Sequence, residues 1–459
     1  MQSKSGLFPV LLVTAGALLL SACTFDQQQV QPSAPVMGTI TVADSVDSSR
    51  DFSGIEVSIT KKDSAQADAD TLFFQVTDST GHFSGVAMFP EKQFYTLRID
   101  RNQQQLGQAS VILADGDTLR IEAELPGFQQ TLTINSAEHE ALGQYRRVNQ
   151  NYQRVVSFIQ RGVLKGDSAR TELQKFADLY WEIYENKTGT LASRMAAVDA
   201  IDIYGSLDGR QMMQKLREVQ DNDQLAAVAA RYGTSYLAEN KGLNHTLQYL
   251  DSLQTITEDS VASMNIQQEQ IKLLYDSARV DQAKSQLAEF KKRFGDNRSV
   301  KSWVEGIEYD LNYLSPGDTI PPFAFKNNGK LISRDSLLGT PYILEITLLS
   351  NRLYQNQYDR TFVIHNIYKN FGLEVVTIPL DQSQVTIDAF FSEREKAWPV
   401  ASAEAFDRQS VIEKFNIRLV PTRFLVDRNG EIVRKYIGEE YQDVIQGIQT
   451  IIKTEEPAS

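Results

Sequence analysis

Few residues of this chain could carry covalent chemistry. The sequence holds one cysteine, Cys23, and four histidines, His82, His139, His245 and His365. A thiolate can attack, ligate a metal or serve as half of a redox pair, and redox exchange needs a second thiol to resolve the mixed disulfide. The sequence offers no second thiol. The histidines fall in four separate contexts without ligand spacing, so no metal and no cofactor are expected. Neither a Gly-x-Ser-x-Gly elbow nor a glycine-rich phosphate loop is present, which leaves hydrolase and nucleotide chemistry without support. A net charge of −13 disfavours nucleic acid as a partner, because phosphate backbones select basic surfaces.

What surrounds Cys23 gives it a different chemistry. Lys4 supplies a positive start, Leu7 to Leu20 run apolar without a charge, and Leu20-Ser21-Ala22 place small residues before the cysteine. The run falls short of the ~20 apolar residues that span a bilayer. A charged start, a short apolar core and a small-residue cleavage site read as a secretory signal over 1–22. Leu-Ser-Ala-Cys resembles the lipobox of bacterial lipoproteins. That resemblance implies diacylglycerol on the Cys23 sulfur, cleavage before it and a membrane anchor, with Thr24 favouring the outer membrane of the cell envelope. Several acyl chains on one residue hold stably, where one chain holds marginally. Residues 23–37, with Gln27-Gln28-Gln29 and prolines at 32 and 35, read as a lipidated tether.

Stepping outward from these residues, three segments must position whatever else the chain does. Residues 38–135 carry short β-type runs at Gly38, Gly54, Thr71, Phe94, Ser110 and Thr118, a spacing that predicts a β-sandwich. Thr77 to Phe83 form a hairpin-type turn in which Gly81 supplies a positive φ. This layout resembles carboxypeptidase-regulatory-like sandwiches, which implies structure rather than chemistry. Residues 136–312 become helical, with Leu173, Phe176, Leu179, Tyr180 and Ile183 at three- and four-residue spacing. Asp167 and Ser168 are placed as an N-cap, and Gln268 to Asn312 as one helical hairpin. Residues 313–459 alternate strands and helices, the pattern of a βαβ sheet. The fold class expected is multidomain α+β: an N-terminal β-sandwich, a central α-helical region and a C-terminal α/β domain.

The last segment carries an ordered set of motifs. Gly317-Asp-Thr-Ile-Pro-Pro-Phe323 comes first, then Gly329-Lys-Leu-Ile-Ser-Arg-Asp-Ser-Leu-Leu-Gly339, then Val420-Pro421-Thr422-Arg-Phe-Leu-Val-Asp427-Arg-Asn-Gly430. Together they resemble the thioredoxin fold in its TlpA-like and alkyl-hydroperoxide-reductase-like branch. The resemblance implies a cis bond before Pro421 and an active-site loop between Glu345 and Gln355. It also implies a thiol-disulfide oxidoreductase or a peroxiredoxin-like antioxidant protein. Counted forward from the core strand, the family's Trp-Cys-x-x-Cys falls on Asn351 to Gln355, with Arg352 and Gln355 at the thiol positions, give or take one residue. Neither can form a thiolate.

The reading that remains is a membrane-anchored, redox-inactive binding or scaffolding module. Its candidate groove is Asn351, Arg352, Gln355, Val420 and Pro421, and its partner an extended peptide or an envelope protein. Val420 would accept an added strand, and Arg352 would offer charge-assisted hydrogen bonds. Asp427 is assigned to turn chemistry rather than catalysis.

Overall fold

The computed structural model describes residues 31–46, 48–61, 70–220 and 222–453. Cys23, the signal segment before it and the tether up to residue 30 lie outside the described residues. The chain divides into two compact units, residues up to Arg147 with Lys187–Ser193, and Val148–Asn186 with residues from Arg194 onward.

The first unit is built on alternation. Its strands are β1 (Ser33–Val42), β2 (Glu56–Lys61), β3 (Asp70–Val76), β4 (His82–Met88), β5 (Gln93–Arg101), β6 (Gln104–Leu113) and β7 (Leu119–Leu125). A single helical turn, α1 (Phe128–Thr131), precedes β8 (Thr133–Asn135). They form two four-stranded sheets in the orders β4-β1-β7-β8 and β3-β2-β5-β6. Inward residues of both sheets, among them Val36, Ile40, Phe83 and Ile121 facing Val57, Ile59, Leu97 and Ile99, share one core. That arrangement is a β-sandwich. β1 runs parallel to β7, and every other pairing in the unit is antiparallel.

Two details correct the sequence reading. Residues 33–37, read as tether, are the first half of β1, with Ala34 and Val36 buried. Pro35 misled: it pairs only toward β4, because the β7 ladder starts at Val36, so its missing N–H costs nothing on the other side. β4 went unmarked because Gly85 and Ser84 dilute its alternation. The turn before it is as expected. Gly81 has φ +81°, and the Asp78 carboxylate accepts from the Thr80 N–H at 2.8 Å and the His82 N–H at 3.0 Å.

Nine helices follow among the described residues: α2 (Ala137–Gln160), α3 (Gly166–Asn186), α4 (Leu191–Leu207), α5 (Gly209–Val219), α6 (Asp223–Lys241), α7 (Leu243–Ile256), α8 (Ser260–Asp276), α9 (Val280–Phe294) and α10 (Arg298–Tyr313). Phe176, Tyr180 and Ile183 are buried on α3 as their spacing requires. Asp167 and Ser168 lie inside its first turn rather than at a cap, where Asp167 meets the positive end of the helix dipole. Caps elsewhere are explicit: Asp208, Asn222, Asp259 and Asn297 each accept a backbone N–H at the start of α5, α6, α8 and α10. The expected hairpin from Gln268 is three helices, because Ala278 at φ +56° and the Asn297 cap each break the run.

The C-terminal segment opens with a β9 (Ala324–Asn327) and β10 (Lys330–Ser333) hairpin. Then come β11 (Tyr342–Thr347), α11 (Arg352–Tyr368), β12 (Glu374–Pro379), α12 (Gln384–Phe391), α13 (Arg408–Lys414), β13 (Thr422–Val426), β14 (Ile432–Ile437) and α14 (Val444–Lys453). The main sheet runs β12-β11-β13-β14. β11 is parallel to β12, and β13 is antiparallel to both β11 and β14. Apolar cores lie on both faces, so every residue of β11 and β13 is buried. Order, direction and helix placement are those of a thioredoxin-like domain. The Asp427 carboxylate accepts from the Asn429 and Glu431 N–H groups, and Gly430 takes φ +79°, as turn chemistry demands.

One histidine of the first unit ties its stability to pH. His139 sits at the start of α2 with Ser136 Oγ 2.9 Å from Nδ1, and burial pulls its pKa down to about 4. Its folded pKa lies below the unfolded value near 6.5, so the stabilisation is complete above pH 6.5 and is lost as pH falls toward 4. His139→Gln should remove on the order of 2 kcal/mol of that acid-side slope. Urea unfolding of the wild type and the variant at pH 7.5 and pH 4.5 measures it.

Candidate functional site

The site follows from the register of one sheet. Tyr342-Ile-Leu-Glu-Ile-Thr and Thr422-Arg-Phe-Leu-Val are apolar strands with one charge each. The register sets Glu345 opposite Arg423 across β11 and β13, and opposite Thr377 across β11 and β12. Both charged side chains are fully buried, and Arg423 Nε donates to Glu345 Oε1 at 2.7 Å. Glu345 Oε2 also accepts from the Tyr354 hydroxyl at 2.9 Å and the Thr377 hydroxyl at 2.8 Å. Thr377 in turn accepts from the Trp398 indole at 2.8 Å. Arg423 Nη1 reaches Gln357 Oε1 at 2.7 Å, and its guanidinium lies 3.9 Å from the centroid of the Tyr441 ring. Burial and the neighbouring Glu345 push the Tyr354 phenol well above its ordinary value, and burial pushes Tyr441 up to about 12. Both rings are therefore neutral donors or platforms, not bases.

Directly beyond β11 the chain turns into α11. Asn351 is the N-cap, its Oδ1 accepting from the Tyr354 N–H at 3.0 Å, while its Nδ2 donates to the Val420 carbonyl at 3.3 Å. The Val420–Pro421 bond is cis, as the resemblance implies. The Pro421 carbonyl accepts from Gly438 N–H at 2.9 Å. Gln355 Nε2 folds back to the Leu349 carbonyl at 2.9 Å.

Of the five residues expected in a groove, Asn351, Val420 and Pro421 meet at the cis bond. Asn351 is linked to Val420, Gln355 is spent on its own loop, and Pro421 is buried. The Val420 carbonyl is taken, leaving its amide without a partner among the described residues. Arg352 is exposed in the first turn of α11 and has no ion pair among the described residues. Glu345, Arg423, Tyr354, Thr361 and Tyr441 were not singled out from sequence. The available signal was a lone Glu and a lone Arg at the centres of two apolar strands, since charges rarely enter a core unpaired. Among the described residues, no group of three His, Cys, Asp or Glu side chains is placed to hold a metal.

With this geometry in view, comparison with known proteins is informative over part of the chain. No family-wide sequence profile matches it. A thiol-disulfide oxidoreductase ResA from Bacillus cereus is 28% identical over 144 residues, covering 31% of this chain and 82% of the relative. A protein of the same name from Bacillus subtilis is 24% identical over 141 residues, covering 30% and 77%. Among solved structures, the thioredoxin domain of a thiol-disulfide oxidoreductase from Bacteroides vulgatus is similar, with 17% identity, a TM-score of 0.27, and coverage of 30% of this chain and 98% of that one. A thioredoxin-family thiol:disulfide interchange protein from Chlorobium tepidum gives 19%, 0.27, 30% and 97%. The shared feature is a thioredoxin-like fold. It accounts for about 30% of the chain, and the chain as a whole is a multidomain α+β protein.

The buried pair makes a stability prediction. Arg423→Met leaves Glu345 buried without its cation, which costs about 3–5 kcal/mol. The double variant Glu345→Leu/Arg423→Met removes both charges and should recover more than half of that loss. Urea unfolding followed through Trp398 fluorescence measures both, and additive losses would contradict the pairing.

Proposed function

We propose that this protein is a membrane-anchored thioredoxin-like module that binds an extended partner segment and performs no thiol chemistry. The observation that carries the reading is what occupies the helix start beside the cis bond. A reactive thiol pair of spacing i, i+3 gains its low pKa from a helix N-terminus. Here the N-cap is Asn351 and the residue three on is Tyr354, buried and bonded to Glu345. These two positions lie one residue before Arg352 and Gln355, within the one-residue latitude of the thiol positions. Neither Asn351 nor Tyr354 can attack or resolve a disulfide. Cys23 is the sole cysteine of the sequence, and acylation would convert its sulfur to a thioether.

The binding half of the reading rests on Val420 and Arg352. The Val420 amide offers one main-chain bond to an extended segment. Arg352 places a cation at the positive end of the α11 dipole, an unfavourable position that an acidic partner group would relieve. The relatives named thiol-disulfide oxidoreductase supply the competing reading, and activity separates the two. Anchoring at Cys23 in the cell envelope, at the outer membrane, follows from the lipobox resemblance.

The full chain should reduce insulin no faster than buffer with dithiothreitol alone, and any protein-dependent turnover would overturn the reading. Crosslinking and pull-down from intact membranes should recover a partner, and Arg352→Glu should lower its yield at least threefold. An unchanged yield would remove the groove. Cys23→Ser should abolish incorporation of radiolabelled palmitate and release the protein from membranes.

A further inference from the structure

Within the second unit, a cavity of about 450 Å³ opens between α10 and the segment that leads into the cis bond. Its apolar wall is Trp303 and Ile307 from α10, Leu419 from the segment before Val420, and Ile437 from the end of β14. Lys272, Asp310, Arg418, Lys435 and Glu440 supply most of its charge.

All but one of those charges are paired within the chain, and the exception, Arg418, is held by neutral acceptors. Lys435 Nζ donates to both Asp310 oxygens at 2.9 Å, and Asp310 also accepts from Asn416 Nδ2 at 2.7 Å. Lys272 pairs with Asp276 at 2.8 Å and Glu440 at 3.1 Å. Arg418 is held by Asn416 Oδ1 and by the Ser302 carbonyl and hydroxyl. A charge seated deep in the cavity would have to compete with the Lys272 or Lys435 ion pairs, of which Lys435–Asp310 is buried; only Arg418, exposed at the rim, lacks a carboxylate partner among the described residues. What the cavity offers is apolar surface. An apolar cavity of about 150 Å³ is already enough to hold benzene, so this one accommodates an aromatic ring together with the residue that bears it.

Leu419, exposed at the rim, directly precedes Val420, whose amide has no partner among the described residues. The cavity rim at Leu419 is thus one residue along the chain from the groove position Val420. We propose that the cavity between α10 and the Leu419 segment seats an uncharged, bulky side chain, phenylalanine or leucine, of the extended peptide. This rests on the groove reading above and gives it a sequence preference. The preference is set by the helical layer, not by the thioredoxin-like sheet alone.

The probes are blocked seven-residue serine peptides with a central phenylalanine, leucine or aspartate, titrated into the full chain by calorimetry and by Trp303 emission, with Trp303→Phe as the spectral control. The phenylalanine and leucine peptides should bind at least tenfold tighter than the aspartate peptide. Leu419→Asp, at an exposed position whose thermal melt should not move, should weaken the phenylalanine peptide at least fivefold. Equal affinity for the three peptides overturns the cavity assignment, as does unchanged affinity in Leu419→Asp. Absence of binding up to 1 mM, a concentration of about −4 kcal/mol affinity, overturns it too. If toluene alone shifts Trp303 as strongly as the peptide, the cavity is a small-molecule site and the peptide assignment fails. Any of these results alongside an Arg352→Glu-sensitive pull-down leaves the groove standing. Loss of the pull-down itself removes the groove reading beneath both.

Discussion

A glutamate and an arginine that never reach solvent face each other in the middle of a sheet, and the C-terminal domain is arranged around keeping them together. Removing two charges from water costs several kcal/mol each, repaid only when geometry is good and the remaining lone pairs and protons are satisfied. Register supplies the geometry, Glu345 and Arg423 being direct cross-strand partners. Tyr354, Thr361 and Thr377 donate to the Glu345 carboxylate, Gln357 accepts from Arg423 Nη1 and Tyr441 stacks on the cation, while Arg423 Nη2 is left without a hydrogen-bond partner. A one-residue slip of β13 would place a charge against the opposite apolar core. The pair therefore fixes the sheet, and the sheet fixes the loop that leads into α11.

The same pair decides what the helix start can do. Tyr354 spends its hydroxyl on Glu345 and its ring on the core, so the inward position of the first turn belongs to packing. Asn351 spends both ends of its amide, one on the helix and one on Val420. A pair of thiols at these places would leave Glu345 with one donor fewer and Val420 with its carbonyl open. The side chains at the helix start are thus members of the bonded polar core.

Much of this was legible in the residues, and the failures have causes. Turns declared themselves, because Gly81 and Gly430 follow Asp residues whose carboxylates organise the backbone locally. The Val420 to Gly430 block marks β13 and its turn, which depend on near neighbours in sequence, while the cis bond comes from the family resemblance that the block carries. The start of α11 is not legible between Leu348 and Asn351, which carry no local signal, because the cap is defined by its bond to Tyr354. Residues 33–37 and β4 were missed for a related reason: their strand character comes from partners far along the chain. The polar core is only half legible: the lone Glu345 and lone Arg423 stand out in apolar strands, but no rule pairs one strand's charge with another's before the register is known.

The Asp310–Lys435 bond described at the cavity floor has a consequence for modularity. Asp310 belongs to α10 and Lys435 to β14, both are buried, and burial pulls the Lys435 ammonium below the usual lysine range against the pull of its carboxylate. Tyr275 of α8 also donates to the Leu314 carbonyl, at the join between the two segments. A thioredoxin-like domain is commonly imagined as a cassette that recombination can move between proteins. Cut at Tyr313, this one would lose the carboxylate partner of a buried ammonium. The last helices and the sheet are parts of one compact unit.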